Sequence, residues 1–188
     1  MDYKKLETNL IDLIGEQQLK LGYLRGQVSF YYPLTSLQHL LGISGGISEM
    51  YEAFREFVNL PENKLGKLGI SNRDDRFCIT VMPEGCEYVH EHFDELPFEF
   101  LKEFLQVISK HGSSLDNLMT VFKKHSDHVR IEKMEDDEFD YCFYFEDGVP
   151  DDYRYCINFE GHHTTYHRFT EADYQDFGFH SSDCDIPD

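Results

Sequence analysis

Residues 28–58, VSFYYPLTSLQHLLGISGGISEMYEAFREFV, determine the order of elements in the first half of the chain. Val28–Tyr31 is rich in apolar and aromatic side chains, which predicts a short strand. Thr35 is placed to cap a helix that ends at Gly42, and Ser48 is placed to cap a second helix that reaches residue 60. The second helix has one apolar face, whose members recur at helical spacing: Ile47, Met50, Tyr51, Phe54, Phe57 and Val58.

The flanking residues extend this order on both sides. Residues 3–21 predict an amphipathic helix, because leucine and isoleucine recur at helical spacing and Gly22 is a natural stop. Leu65–Ser71 and Arg76–Met82 predict two strands, joined by the polar turn Asn72-Arg73-Asp74-Asp75. The predicted order is therefore helix, strand, helix, helix, strand, strand.

This order, followed by the segment MPEGCEYVHE at Met82–Glu91, resembles a winged helix-turn-helix. In many bacterial domains of that class, a Pro-x-Gly turn of this kind starts a closing helix. The resemblance covers about half the chain, and we place the winged-helix-like module at residues 1–95. It implies that helix 48–60 is the recognition helix, the element that enters the major groove of DNA in that class.

The charge of this helix argues against DNA binding. Its face opposite the apolar residues carries three carboxylates and one guanidinium: Glu49, Glu52, Glu56 and Arg55. Arg73 and Arg76 flank the tip of the predicted hairpin, but Asp74 and Asp75 lie between them and offset their charge. Because phosphate contacts dominate the affinity of proteins for DNA, we expect no direct nucleic-acid binding and predict a protein partner instead.

The net charge of the whole chain also argues against nucleic-acid binding. The 188 residues include 17 basic and 36 acidic side chains, which gives a formal charge of −19. Residues 98–188 hold 21 of the acidic side chains and only eight of the basic ones. Such a surface repels nucleic acid and anionic lipid and attracts basic partners.

The N-terminus and the cysteines indicate the compartment. The segment MDYKKLETNL lacks the apolar region of a signal peptide, and no apolar run approaches membrane-spanning length. The five cysteines are odd in number and form no CxxC pair: Cys78, Cys86, Cys142, Cys156 and Cys184. We therefore expect reduced thiols in a bacterial-type cytoplasm and no membrane association.

The second half predicts a helical pair followed by a four-stranded antiparallel sheet. One helix spans about residues 98–110, and Ser114 caps the next. Period-two alternation then predicts four strands: Val129–Met134, Phe139–Phe145, Tyr153–Phe159 and His163–Phe169. Thr170 caps a last short helix. The fold class is therefore α+β, with 96–180 as the second module and 181–188 as a frayed acidic tail. A degenerate second winged helix, extended by another hairpin, is an alternative for this half.

A hairpin centred on Val149 would pair the two central strands of this sheet. One face of the hairpin is then apolar or aromatic throughout, which supports the register. On the other face Cys142 meets Cys156, and Tyr144 meets Arg154. Because no other two cysteines are brought together by a predicted pairing, a disulfide formed on oxidation should link Cys142 to Cys156.

The register of the last strand decides whether a metal site is expected. A two-residue turn at Glu160-Gly161 places His163 and His167 on the cysteine face, and this set of ligands suits a soft metal. A turn one residue longer moves both histidines to the aromatic face, and the apolar Phe169 favours that register. We therefore expect no metal or other cofactor, and keep one alternative metal set: His163, His167, Cys142 and Cys156.

Other sequence signatures of catalysis are weak. The string His90-Glu91-His92-Phe93-Asp94 is similar to the HxHxD of metallo-β-lactamase-type hydrolases, but it lies at the end of a predicted helix and Glu95 follows where that pattern has His. We interpret it as a solvated helix end. Asp151-Asp152 is interpreted as part of a turn. The sequence has no Gly-rich phosphate loop and no GxSxG, so we predict no catalytic residue.

Three stretches are similar to an uncharacterised bacterial family, a domain of unknown function. They are YYPLTSLQHLLG at Tyr31–Gly42, RFCITVMPEGCEYVHEH at Arg76–His92 and YFEDGVPDDYRYC at Tyr144–Cys156. The resemblance spans nearly the full chain. It implies no activity and gives no residue a role.

The leading hypothesis is a non-enzymatic cytoplasmic protein-interaction module whose acidic surface sequesters a basic partner, such as a toxin or a nucleic-acid-binding protein. The candidate contact residues are Glu49, Glu52, Glu56, Tyr144 and Arg154. One alternative is a metal-dependent enzyme or metal sensor that uses the Cys/His face of the sheet. A second alternative is a transcriptional regulator that acts through a partner.

Overall fold

The first unit of the chain, Met1–Phe98, contains four α-helices and a three-stranded antiparallel sheet. Its elements are α1 Tyr3–Leu21, β1 Val28–Pro33, α2 Leu34–Leu41, α3 Ile47–Val58, β2 Leu68–Arg73, β3 Arg76–Val81 and α4 Pro83–Glu91, followed by a 3₁₀ turn at Phe93–Glu95. The computed structural model describes residues 1–135 and 138–179 and the backbone of 181–183. No helix in this part of the chain is long and apolar enough to cross a membrane.

Strand β3 lies at the centre of the first sheet, whose order is β1-β3-β2. Its alternate residues Phe77, Ile79 and Val81 are fully buried. The helices supply most of the rest of this core, including Leu6, Leu10 and Ile14 of α1, Leu37, Leu40 and Leu41 of α2, and Met50, Ala53, Phe54 and Phe57 of α3. The predicted order of helices and strands is confirmed. The spacing of apolar residues was sufficient for this, because it has a period of 3.6 in helices and of two in strands.

Three predicted starts of elements in this unit are wrong. Helix α2 begins at Leu34, whose N–H donates to the Asp75 carbonyl at 2.8 Å, so Thr35 lies inside the helix. Helix α3 begins after Gly46, whose carbonyl accepts from Met50 at 3.1 Å, so Ser48 is not its cap. Leu65 precedes β2, because its N–H donates to the Asn63 side chain in a local turn.

The second unit, Glu99–Asp188, is a helical pair and a sheet of order β7-β6-β5-β4-β8. Its elements are α5 Glu99–Ile108, α6 Leu115–His125, β4 Val129–Met134, β5 Tyr141–Phe145, β6 Tyr153–Glu160, β7 His163–Thr170, α7 Glu171–Phe177 and β8 Ser181–Asp183. The four predicted strands and the caps at Ser114 and Thr170 are confirmed. The start of the predicted acidic tail is instead β8, which pairs with β4. Cys184 and the residues after it lie outside the described part.

Both faces of the second sheet are packed with apolar side chains. On one face, rings from α5 meet rings of the sheet edge-on, with Phe100 4.9 Å from Phe145 and Phe104 4.9 Å from Tyr155. On the other face, five residues form a buried cluster: Met134, Cys142, Cys156, Phe169 and Tyr174. The hairpin register predicted for β5 and β6 is confirmed, since Cys142 lies opposite Cys156.

Neither exact register predicted for the last strand is correct, although His163 and His167 do lie on the cysteine face, as the two-residue turn predicted. Glu160 pairs with His163, so the two-residue turn consists of Gly161 and His162. Gly161 has a φ of 62°, which favours glycine at the first position of such a turn. Phe169 consequently lies opposite Arg154, on the cysteine face, where it is buried.

Candidate functional site

The outward face of α3 combines exposed apolar side chains with carboxylates. Ile47 is 39% exposed and Tyr51 is 36% exposed. Glu49 and Glu52 are also exposed on this helix. Since Met50, Ala53, Phe54 and Phe57 anchor the opposite face in the core, the backbone of α3 is held rigidly and its outer side chains have a defined position.

The three predicted contact carboxylates of α3 differ in how strongly they are held. Glu56 accepts a 2.6 Å hydrogen bond from the Tyr3 hydroxyl of α1, and burial together with this carboxylate raises the pKa of Tyr3 to about 12. Glu52 forms an ion pair with Arg55. Glu49 has no ion pair among the described residues. All three carboxylates are exposed, but Glu56 is engaged in tying α1 to α3.

The tip of the β2–β3 hairpin joins this face. The Tyr51 hydroxyl donates to Asn72 Oδ1 at 2.9 Å, and its ring lies 5.8 Å from that of Phe77. A surface depression of about 660 Å³ is lined by Asn72, Arg73 and Tyr31. Tyr31 is 73% exposed. We call Ile47, Glu49, Tyr51 and Glu52, together with the hairpin tip at 72–76, the α3 face. It presents one aromatic side chain, Tyr51, and charges of both signs on rigid elements.

The predicted contact residues Tyr144 and Arg154 lie together in an internal network of the second unit. The Arg154 guanidinium lies 3.9 Å from the centre of the Tyr144 ring and 4.5 Å from that of Tyr174. It forms ion pairs with Glu171 at 2.5 Å and Glu132 at 3.5 Å, and its side chain is only 12% exposed. These contacts stabilise the sheet and α7, so Arg154 presents little of its side chain to a partner.

The four alternative metal ligands are not brought to one point. Cys142 and Cys156 are buried neighbours, and the hydrogen bond to Cys142 together with burial raises the pKa of the Cys156 thiol. His167 pairs with Cys156, but it is exposed and its ring lies 4.3 Å from that of Phe169. His163 is four residues farther along the strand, roughly 13 Å away. Within the described residues, no group of three or more His, Cys, Asp and Glu is arranged to hold a metal ion.

The HxHxD string does not form a shared site either. The His90 ring stacks on Tyr23 at 4.1 Å, whereas His92 stacks on Tyr88 at 4.3 Å. His92 Nδ1 also lies 2.9 Å from the Tyr88 carbonyl oxygen. The two imidazoles therefore have different partners at the end of α4, as expected for a helix end.

Comparison with known proteins gives a family. The family described as "Domain of unknown function, E. rectale Gene description (DUF3877)" matches residues 3–178. The chain belongs to DUF3877. This confirms the resemblance to an uncharacterised family over nearly the whole chain. No curated protein and no solved structure matches it.

One polar group of this DUF3877 chain was missed by sequence reasoning. Asp151, interpreted as part of a turn, accepts a 2.6 Å hydrogen bond from the hydroxyl of Tyr155, which is fully buried. Burial raises the pKa of the Asp151 carboxyl, and the nearby Arg168 guanidinium opposes that shift. The only signal in the sequence was an acidic loop followed by a strand with Tyr at alternate positions. This combination is too common to single out a site.

Proposed function

We propose that this DUF3877 chain is a non-enzymatic cytoplasmic module that binds a basic protein partner through the α3 face. The observation that carries the proposal is the pair Ile47 and Tyr51, exposed on the same rigid helix that exposes Glu49 and Glu52. Exposed aromatic anchors with charged neighbours are typical of protein contact surfaces. The acidic charge of the chain adds long-range attraction for a basic partner.

The element order supports a winged-helix class for the first unit. Helices α2 and α3 precede a two-stranded hairpin, and β1 completes the sheet in the order β1-β3-β2. In that class α3 would be the groove-reading helix. Here Glu49 and Glu52 would face phosphates, so the same helix is better suited to a basic protein. This order favours, as a second candidate, a regulator that reaches DNA only through its partner.

The test is affinity capture with charge-matched variants. Glu49→Lys with Glu52→Lys changes the α3 face, whereas Glu62→Lys with Glu87→Lys makes the same change in net charge at two exposed positions elsewhere in the first unit. We expect wild type and the second variant to capture the same basic protein from cells of the source organism, and the α3 variant to lose it. Equal loss in both variants would indicate a non-specific effect of charge and would contradict the proposal.

A further inference from the structure

We propose that Cys142 and Cys156 form a reversible dithiol site that small-molecule disulfides oxidise, with α7 as its cover. The two residues lie directly opposite each other in β5 and β6, and both are free thiols. Directly opposed residues of antiparallel strands have Cα atoms about 4.5–5.5 Å apart, which lies inside the span of a disulfide. The register therefore places the two cysteines at a separation that a disulfide can span.

The surroundings assign different roles to the two sulfurs. A hydrogen bond with Cys142 and burial raise the pKa of the Cys156 thiol. Arg154 precedes Cys156 by two residues on the same face of β6, and its positive charge acts on both sulfurs. Cys156 therefore forms a thiolate less readily, and Cys142 is assigned as the attacking group.

The reaction is two successive thiol–disulfide exchanges. The Cys142 thiolate attacks a small disulfide such as oxidised glutathione, forms a mixed disulfide and expels one glutathione thiolate. Cys156 then loses its proton and attacks the Cys142 sulfur, which releases the second glutathione thiolate. Two protein thiols lose two electrons and two protons, and the small disulfide gains them as two thiols.

Helix α7 controls access to these sulfurs. Both are fully buried in the cluster that Phe169 of β7 and Tyr174 of α7 complete. Helix α7 has only seven residues, and Thr170 caps its first turn. Because a helix of only two turns between two strands opens locally at lower cost than the sheet it covers, the thiols react only while α7 is displaced.

The experiment treats the full chain with oxidised glutathione, blocks free thiols by alkylation and maps the products by mass spectrometry. We expect a Cys142–Cys156 link in wild type. Cys156→Ser should accumulate glutathione on Cys142, whereas Cys142→Ser should leave Cys156 unmodified. These two variants separate the attacking sulfur from the resolving one, and neither depends on a change in α7.

Tyr174→Ala tests the role of the cover. The substitution removes a contact that exists only while α7 covers the thiols. It should therefore raise the population of the open form, and with it the rate of bridge formation, roughly tenfold. Tyr31→Ala, an exposed position in the other unit, is the control and should leave the rate unchanged. The absence of a Cys142–Cys156 link, a link from either residue to another cysteine, or equal rates in wild type and Tyr174→Ala would overturn the proposal.

Discussion

At the residue scale, Gly15 marks a close approach in the first unit. A Cβ at this position of α1 would lie 2.2 Å from Cζ of Phe98, which is buried. Gly15→Ala should therefore lower the free energy of unfolding by about 1–3 kcal/mol, because the aromatic ring must shift in a packed core. Urea denaturation measures this change.

Gly26→Ala is the matched control for that prediction. A Cβ at Gly26 meets no heavy atom within 4 Å. The substitution should change the free energy of unfolding by less than about 1 kcal/mol, and in the stabilising direction. Equal effects of the two substitutions would mean that Phe98 does not lie against α1.

Tyr144 gives a prediction about pH. Burial and the hydrogen bond to Glu132 raise the pKa of Tyr144 to about 12, while Arg154 opposes the shift. The folded pKa is above the unfolded value of about 10, so the folded state holds the proton more tightly. The resulting stability is complete below pH 10 and is lost as the pH rises through about 12. Tyr144→Phe should therefore show a shallower fall in unfolding free energy over this window, measured by urea denaturation. Identical slopes would contradict the account of the network.

At the element scale, the helix caps give a pair of contrasting predictions. The Ser114 side chain accepts from the Asn117 N–H, and the Asn117 side chain accepts from the Ser114 N–H, which is a capping box for α6. Ser114→Ala should lower the free energy of unfolding by about 1 kcal/mol. Ser48 lies inside α3, so Ser48→Ala should have an effect below about 0.5 kcal/mol. A larger loss at Ser48 would place the start of α3 where the sequence first suggested.

Sequence reasoning located the elements but not all of their ends or registers. The order of helices and strands follows from the spacing of apolar residues such as Phe54 and Phe57. Contacts between distant segments do not change the type of these elements. The register of β7 could not be derived in this way, because both faces of the second sheet are covered. Phe169 is apolar and fits either face, so its chemistry favoured the wrong one. The position of Gly161 in the turn was the signal that would have decided the register.

The candidate site was predictable to a similar degree. The carboxylates on α3 follow from helical spacing alone, and the opposition of Cys142 and Cys156 follows from the hairpin register. The bond from Tyr3 to Glu56 and the enclosure of Arg154 by two tyrosine rings depend on contacts between distant segments. Such contacts leave no periodic trace in the sequence, so the bond to Glu56 and the enclosure of Arg154 were not predicted.

At the scale of the whole molecule, net charge decides which partners can approach. The formal charge is −19, and the exposed side of α3 adds local carboxylates. The chain alone should therefore show no sequence-dependent binding of duplex DNA, even at low ionic strength, where electrostatic attraction is least screened. A gel-shift assay checks this, and submicromolar binding that distinguishes between sequences would contradict it.

The most direct test of the central claim is photo-crosslinking from the α3 face in living cells. Tyr51→p-benzoylphenylalanine places a photoreactive group on α3, and the same substitution at Phe177, which is 65% exposed in the second unit, is the control. We predict that illumination attaches a basic protein at position 51 and not at position 177. Attachment of nucleic acid at position 51, or equal yields of the same protein from both positions, would contradict the claim that α3 docks a protein partner.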